Sequence, residues 1–510
     1  MGFNVSLMWR SPEINPINHK ARSIPVLNPI NQYGRVFFFS WFGFLVAFWS
    51  WYAFPPLLHD IIKSDLHLTQ AQVSNSNIVA LCATLVVRLI AGPACDRFGP
   101  RKTFAGCLLV GAIPTFLAGT AYNVHQLYAV RFFIGILGGS FVPCQVWTTG
   151  FYDKNVVGTA NALTAGLGNS GGGITYFLMP AIYESLVKDG LSGHVAWRVA
   201  FVVPGIVIVV VALTLLLLCQ DTPTGHWSER LGATHSPKVD QPMVVNVPGT
   251  ITTTTPKAPA STRSSNIKEE KSQESSRRPS HDIEAGAQYN LTSVNEIVQT
   301  PSLAQIFRVV VSPQTLVLGA AYFSTFGGEL AINSILGTYY GHQFPHLNLQ
   351  TSSNWAAMFG LMNVVFWPLG GVVSDYAYRY TNQSVWSKKI LLHTYCIIAG
   401  AFLVAIGLTD RHSWGSLVCL VGIAMAFFLE GANGLNFSLV PHVFPQSNGV
   451  VSGFTGASGN LGGVIFAIIF RYNGTEYGRA IWIIGVMIMV LNVATCWIRP
   501  VPRESEERTK

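Results

Sequence analysis

Long apolar stretches alternate with short polar ones along almost the whole chain. Runs of about twenty apolar residues match the hydrocarbon thickness of a bilayer as helices. Twelve such runs are centred near residues 47, 82, 112, 137, 170, 207, 322, 364, 398, 425, 460 and 488. One region breaks the rhythm. Residues 220–305 hold Thr-, Ser- and Pro-rich segments such as Thr250-Ile-Thr-Thr-Thr-Thr-Pro256 and Lys268-Glu-Glu-Lys-Ser-Gln-Glu-Ser-Ser-Arg-Arg-Pro-Ser280. Such a stretch buries too little apolar surface to offset its chain entropy, so it is expected to be a disordered linker. The pattern predicts an all-α membrane protein of twelve transmembrane helices in two pseudo-symmetric six-helix halves. Its expected segments are a tail over 1–35, a half over 36–219, the linker over 220–305, a half over 306–498 and a tail over 499–510.

Composition and charge sharpen this picture. Only 11% of the 510 residues are charged, against about 25% in soluble proteins. The first 35 residues contain no apolar core of a signal peptide, so the amino terminus is expected in the cytoplasm. With both termini there, most Lys and Arg fall on cytoplasmic segments, the positive-inside bias of a polytopic membrane protein. The net charge of +8 then reports topology and calls for no nucleic-acid partner. The eight cysteines lie in spans or at their ends, without the spacing of a disulfide framework or a metal site. His59, His67, His125, His342, His346 and His412 fall in predicted outer loops and read as solvated surface. Asn473-Gly-Thr475 is a sequon on a short outer loop. Ser280, after Arg277-Arg278-Pro279, reads as a site for a basic-directed kinase, or as one chance serine in a Ser-rich linker.

The halves repeat each other. Ala165-Gly-Leu-Gly-Asn-Ser-Gly-Gly-Gly173 is echoed by Gly456-Ala-Ser-Gly-Asn-Leu-Gly-Gly-Val464, so Gly168, Asn169 and Gly172 fall on Gly459, Asn460 and Gly463. Glycines four apart share a helix face and let neighbouring backbones approach, for packing and gating. The first string also satisfies a dinucleotide-binding pattern, but no strand precedes it, so no cofactor is expected. Likewise Arg88-Leu-Ile-Ala-Gly-Pro-Ala-Cys-Asp96 aligns on Trp367-Pro-Leu-Gly-Gly-Val-Val-Ser-Asp375. Parallel six-span halves are the major facilitator architecture, with substrate held between them. Gly92-Pro-Ala-Cys-Asp96-Arg97-Phe-Gly99-Pro-Arg101 resembles that superfamily's loop motif between spans two and three, whose acid and bases pair with helix ends. Asp375 with Arg379 is a degraded second copy.

Few residues carry chemistry. Arg88 lies mid-span, where a charge costs about 3 kcal/mol even on the mildest scale, so it should face a cavity and a partner. A planar guanidinium fork matches a planar oxyanion, and a carboxylate on another span is the alternative. Arg131 begins the fourth predicted span and reads as structural. Glu329 and Glu430 are candidates for proton coupling; a helix-end position or a pairing with Arg131 would explain them equally.

Together these residues resemble the nitrate/nitrite porter family of the major facilitator superfamily, particularly its fungal members. The paired Gly/Asn strings are that family's signature. The resemblance implies that Arg88 binds nitrate, with Asn169 and Asn460 at the site. It implies Tyr322 as a hydrogen-bond donor and Phe326 and Phe141 as walls. It also implies a second arginine at the place of Trp367, where an indole N–H stands instead. The expected function is secondary active import of nitrate, or nitrite, by alternating access coupled to protons. A nitrate/nitrite exchanger and a nitrate sensor with little transport are the alternatives. Expected partners are nitrate, nitrite, protons and the lipid bilayer; no nucleophile–base set marks an enzyme.

Overall fold

The computed structural model describes residues 5–16, 18–227, 302–346, 349–409, 413–474 and 476–502, excluding the side chains of 5, 59, 60 and 349–353. Ser280, His412 and Thr475 lie outside the described residues, as does the side chain of His59.

Twelve long helices run through the molecule. In chain order they are α1 (Gln32–Leu57), α2 (Gln70–Phe98), α3 (Pro100–Thr120), α4 (Val124–Phe151), α5 (Val157–Lys188) and α6 (Gly193–Leu218) in the first half. The second half holds α7 (Pro313–Gln343), α8 (Asn354–Tyr380), α9 (Val385–Thr409), α10 (Trp414–Val443), α11 (Pro445–Asn473) and α12 (Tyr477–Thr495). Eleven of them are long and apolar enough to cross a membrane. The twelfth, α5, has 32 residues, but glycines and polar residues dilute its hydropathy. Local chemistry starts and stops these helices. Thr69 and Gln72 form a capping box before α2, and Asn31 and Asn123 cap α1 and α4. Gly99, at φ +90°, separates α2 from α3, which opens on Pro100.

Packing repeats between the halves. In the first, α1 packs on α5, α2 on α4 and α3 on α6; in the second, α7 packs on α11, α8 on α10 and α9 on α12. The halves meet chiefly through α2 against α11 and α5 against α8. The glycine strings serve the α1–α5 and α7–α11 pairings within each half. Gly168 and Gly172 face Phe44 and Phe48 of α1, while Gly459 and Gly463 face Tyr322, Phe326 and Leu330 of α7.

Part of the amino-terminal tail is folded against the α4–α5 junction. Ala21 N–H donates to the Phe151 carbonyl and its own carbonyl accepts from Asp153 N–H, both at 2.9 Å, while Asn15 donates to the Asp153 carboxylate at 2.7 Å. At the opposite end, Asp65 ties the α1–α2 connection to the start of α6. It lies 2.6 Å from His194 and accepts from Arg198 at 2.8 Å and Trp197 at 3.0 Å. Burial opposes ionisation of Asp65, but hydrogen bonds from His194, Arg198 and Trp197 and the Arg198 charge outweigh it, holding the carboxyl below its ordinary range.

Candidate functional site

Arg88 is fully buried at the centre of the molecule. Its Nε donates to the Gly138 carbonyl at 2.9 Å, in the tightened Gly135–Ser140 stretch of α4, and its Nη1 donates to the Gly456 carbonyl of α11 at 3.0 Å. Rings of Phe141 and Phe326 flank the guanidinium, with centroids 4.8 and 5.1 Å from its carbon. Nη2 has no hydrogen-bond partner, and the Tyr322 hydroxyl adjoins the guanidinium without completing a hydrogen bond.

An aromatic box surrounds that free edge. Tyr322 and Phe326 stack at 4.9 Å, and Phe141 lies nearly parallel to both. Trp367 closes a further side, 6.3 Å from Phe141, 6.5 Å from Tyr322 and 6.1 Å from Phe326. Its indole Nε1 has no hydrogen-bond partner. Two members escaped the sequence reading. Phe437 of α10 packs edge-on against Phe141 and Tyr322 at 4.7 and 5.0 Å, and Phe44 of α1 backs Phe141 at 5.3 Å. Both sit among many phenylalanines of apolar spans, where nothing distinguishes a site wall from packing.

The signature asparagines take different places. Asn460 donates to the Gly456 carbonyl that also receives Arg88, while its Oδ1 has no partner. Asn169 is buried and neither of its amide atoms makes a hydrogen bond. Buried donors and acceptors left without partners typically cost about 1–3 kcal/mol each. Here Arg88 Nη2, Tyr322 Oη and Trp367 Nε1 bring such groups to one box, a donor set suited to a small anion with planar faces.

Two buried acids lie on α7 and α10. Glu329, on the Tyr322 face of α7, accepts from Asn363 of α8 at 2.8 Å and Asn433 of α10 at 2.7 Å. Asn433 in turn accepts from Thr325 at 2.6 Å. Glu430 is fully buried and neither carboxyl oxygen has a hydrogen-bond partner. Neither acid is at a helix end, and among the described residues neither pairs with Arg131. That arginine is not at a helix start, because α4 begins at Val124. It is buried and donates to Ser76 at 2.9 Å.

At the end bearing the termini, two carboxylates cross between the halves. Asp96 of α2 accepts from the Gly449 and Val450 N–H groups of α11 at 3.0 and 3.1 Å. Asp375 of α8 accepts from the Thr159 N–H and hydroxyl of α5 at 2.6 and 2.8 Å, and pairs with fully buried Lys388 at 2.8 Å. In both cases a negative charge meets the positive end of the other half's helix. Gly92 sits where a side chain would strike the Gly449 backbone, so α2 and α11 touch there. Gly99 packs on Trp227, Arg101 pairs with Asp221 at 2.6 Å, Arg379 donates to the Asn155 carbonyl at 2.6 Å, and exposed Arg97 lies over Phe98. Lys388 escaped the sequence reading because its partner lies on another helix.

The opposite end is open. A cavity of about 800 Å³ enters between the halves, lined by Trp51, Tyr52, Arg131 and Tyr176 and floored by Leu81, Leu330 and Gly463. The molecule is thus closed on the terminus-bearing face and open on the other.

Comparisons with known proteins agree with this architecture. The Major Facilitator Superfamily profile matches residues 40–467. The chain is 42% identical over 509 residues to Elsinochrome transporter 1 of Elsinoe fawcettii, covering 98% of this chain and 99% of the relative. It is 30% identical over 484 residues to High affinity nitrate transporter 2.5 of Arabidopsis thaliana, covering 94% and 82%. In fold alone it is similar to the crystal structure of the human organic anion transporter MFSD10 (TETRAN), with a TM-score of 0.56 and 11% identity over 90% of this chain and 99% of that one. The chain belongs to the major facilitator superfamily, within its nitrate/nitrite porter family, and is a multi-pass membrane transporter rather than an enzyme.

Proposed function

We propose that this transporter imports a small planar oxyanion, nitrate or nitrite, across the plasma membrane by alternating access, with both termini in the cytoplasm. The observation that carries the reading is the buried Arg88 guanidinium, with one free edge inside an aromatic box. Arg88 holds the anion, and Tyr322 and Trp367 donate to it. Phe141 and Phe326 wall the box, Asn460 supports it through Gly456, and Asn169 lies on the path. Trp367 supplies one hydrogen bond and no charge, so affinity is lower than in a site with two guanidinium groups. Close glycine contacts between the halves, Gly166 and Gly173 of α5 on α8 and Gly449 and Gly453 of α11 on Gly92 of α2, allow the halves to rock, and the Asp96 and Asp375 contacts hold the cytoplasmic side shut in this state. Anion entry against a negative-inside potential costs about 2.3 kcal/mol per charge per 100 mV, which favours coupling to protons. Glu329 and Glu430, buried on α7 and α10, are the groups proposed to carry them, and the linker serine Ser280 is proposed as a kinase target.

A second reading is transport of the cargo named for the Elsinoe fawcettii relative, elsinochrome. The 42% identity favours it, as does the absence of a second basic residue opposite Arg88. Isotopic nitrate uptake in a transport-null host, with internal pH followed by an indicator, separates these. Nitrate uptake with acidification supports proton-coupled import. Nitrite-dependent counterflow without acidification supports exchange. Elsinochrome movement without nitrate uptake supports the second reading.

A further inference from the structure

The buried cation Arg131 lies outside the central box. Arg131 lines the open cavity, only 4% exposed. Its Nη1 donates to Ser76 at 2.9 Å, and its guanidinium carbon lies 5.2 Å from the Phe54 ring. No carboxylate pairs with it among the described residues. The hydroxyl-bearing rings of Tyr52 and Tyr176 line the same cavity, while Glu184 and His342 stand exposed at its rim. A charge held in a membrane protein interior faces a water-filled cavity or a partner. Arg131 has the cavity, and with it the Tyr52 and Tyr176 hydroxyls that would complete an anion's shell; Ser76, whose own hydrogen goes to the Val73 carbonyl at 2.7 Å, holds the guanidinium in place from behind.

We propose that Arg131, positioned by Ser76, forms with Tyr52 and Tyr176 a second anion-binding site in the vestibule, for a small inorganic monoanion. It is distinct from the Arg88 box. Ser76 precedes Arg88 on α2 by twelve residues, about 18 Å along the helix axis, and the floor of Leu81, Leu330 and Gly463 lies between. A fixed positive charge in a cavity with low-dielectric walls concentrates anions there. The site therefore gathers anions at the entrance and excludes cations, whatever cargo the central box carries.

The test reads the vestibule directly, without transport. Ser334 lines the same cavity and bonds only its own helix, at the Ala331 carbonyl. In the full-length protein, Ser334→Cys is modified with an anionic and a cationic methanethiosulfonate, and the reaction of the parent chain is subtracted. Adding Arg131→Gln is expected to lower the anionic-to-cationic rate ratio about fivefold, the effect of one charge across a screened aqueous cavity. Arg131→Lys should keep most of the ratio. Nitrate or chloride should slow the anionic reagent in the Arg131 protein more than gluconate at equal ionic strength, and should still do so when Arg88→Gln is added. An unchanged ratio in Arg131→Gln, equal protection by gluconate, or loss of protection with Arg88→Gln would overturn the site. Retained protection in Arg88→Gln, with nitrate uptake absent from the parent chain itself, would leave this site standing and remove the nitrate reading of the central one.

Discussion

Arg88 and Trp367 stand at equivalent places on α2 and α8, are both fully buried, and meet the same ring, Phe326, at 5.1 and 6.1 Å. The pseudo-symmetric frame thus delivers two side chains to one box, and only one carries charge. Any anion held there receives one guanidinium edge and one indole N–H, together with the Tyr322 hydroxyl.

The two gate carboxylates should differ in what their loss does. Asp96→Asn keeps one backbone hydrogen bond and sets its amide N–H₂ against the other backbone N–H, but leaves no buried cation behind. Asp375→Asn also strands Lys388, which is fully buried, and breaking a buried pair costs about 3–5 kcal/mol. Asp96→Asn should therefore open the terminus-bearing face with the smaller loss of melting temperature, and Asp375→Asn should cause the larger loss. Thermal unfolding of the purified variants, with cysteine accessibility on that face, checks both.

Glu329 accepts from Asn363 and Asn433 through its two different oxygens. Glutamine offers one acceptor, so Glu329→Gln sets an amide N–H₂ against one asparagine donor. Neither asparagine can flip freely: Asn433 also receives Thr325, and Asn363 also donates to the Gly360 carbonyl at 3.1 Å. A stability loss of about 1–3 kcal/mol is expected. Glu430→Gln breaks no hydrogen bond and should be close to neutral. Denaturation of the two variants side by side measures the contrast.

A methyl group at Gly459 would lie 2.6 Å from the Tyr322 ring and 2.9 Å from the Phe326 ring. Gly459→Ala should displace both rings, at about 1–3 kcal/mol of overpacking, and cut transport at least tenfold while the protein still reaches the membrane. Gly415→Ala, which meets nothing within 4 Å, should leave transport unchanged. Initial uptake rates normalised to surface expression compare them.

Much of this arrangement is legible in the chain, and what escapes has a physical reason. A lone arginine in an apolar run marks itself by its desolvation cost, so Arg88 stands out before any contact is seen. Helix α5 is less apolar than the others, yet its glycine string ties it to α11 by repetition. Phe437 and Phe44 resemble every other buried phenylalanine until the helices are placed. Arg131 reads as a span's first residue only because the helix start at Val124 lies in a polar loop sequence; once inside the helix it points to the vestibule instead. Lys388 looks like a flanking charge, and only the return of α9 toward α8 reveals its partner, Asp375.

On the open face, Asp65 links acidity to stability. Its carboxyl is held below the ordinary range, so its contribution is fully present above about pH 5 and lost as pH falls through the usual aspartate value near 3.9 toward the folded one. Asp65→Asn should lower the melting temperature at neutral pH, and its difference from the parent should narrow as pH falls below about 3.9. Thermal scans from pH 7 to pH 3 follow this convergence.

The most direct test is isotopic nitrate uptake into proteoliposomes by the parent chain, Arg88→Ala and Trp367→Arg, under an imposed proton gradient. Saturable uptake by the parent, none by Arg88→Ala, and a KM lowered about tenfold or more by Trp367→Arg are expected if one guanidinium holds the anion and a second would strengthen the grip. Uptake that survives Arg88→Ala, or nitrate transport absent from the parent and not gained with Trp367→Arg, would contradict an oxyanion site built on Arg88.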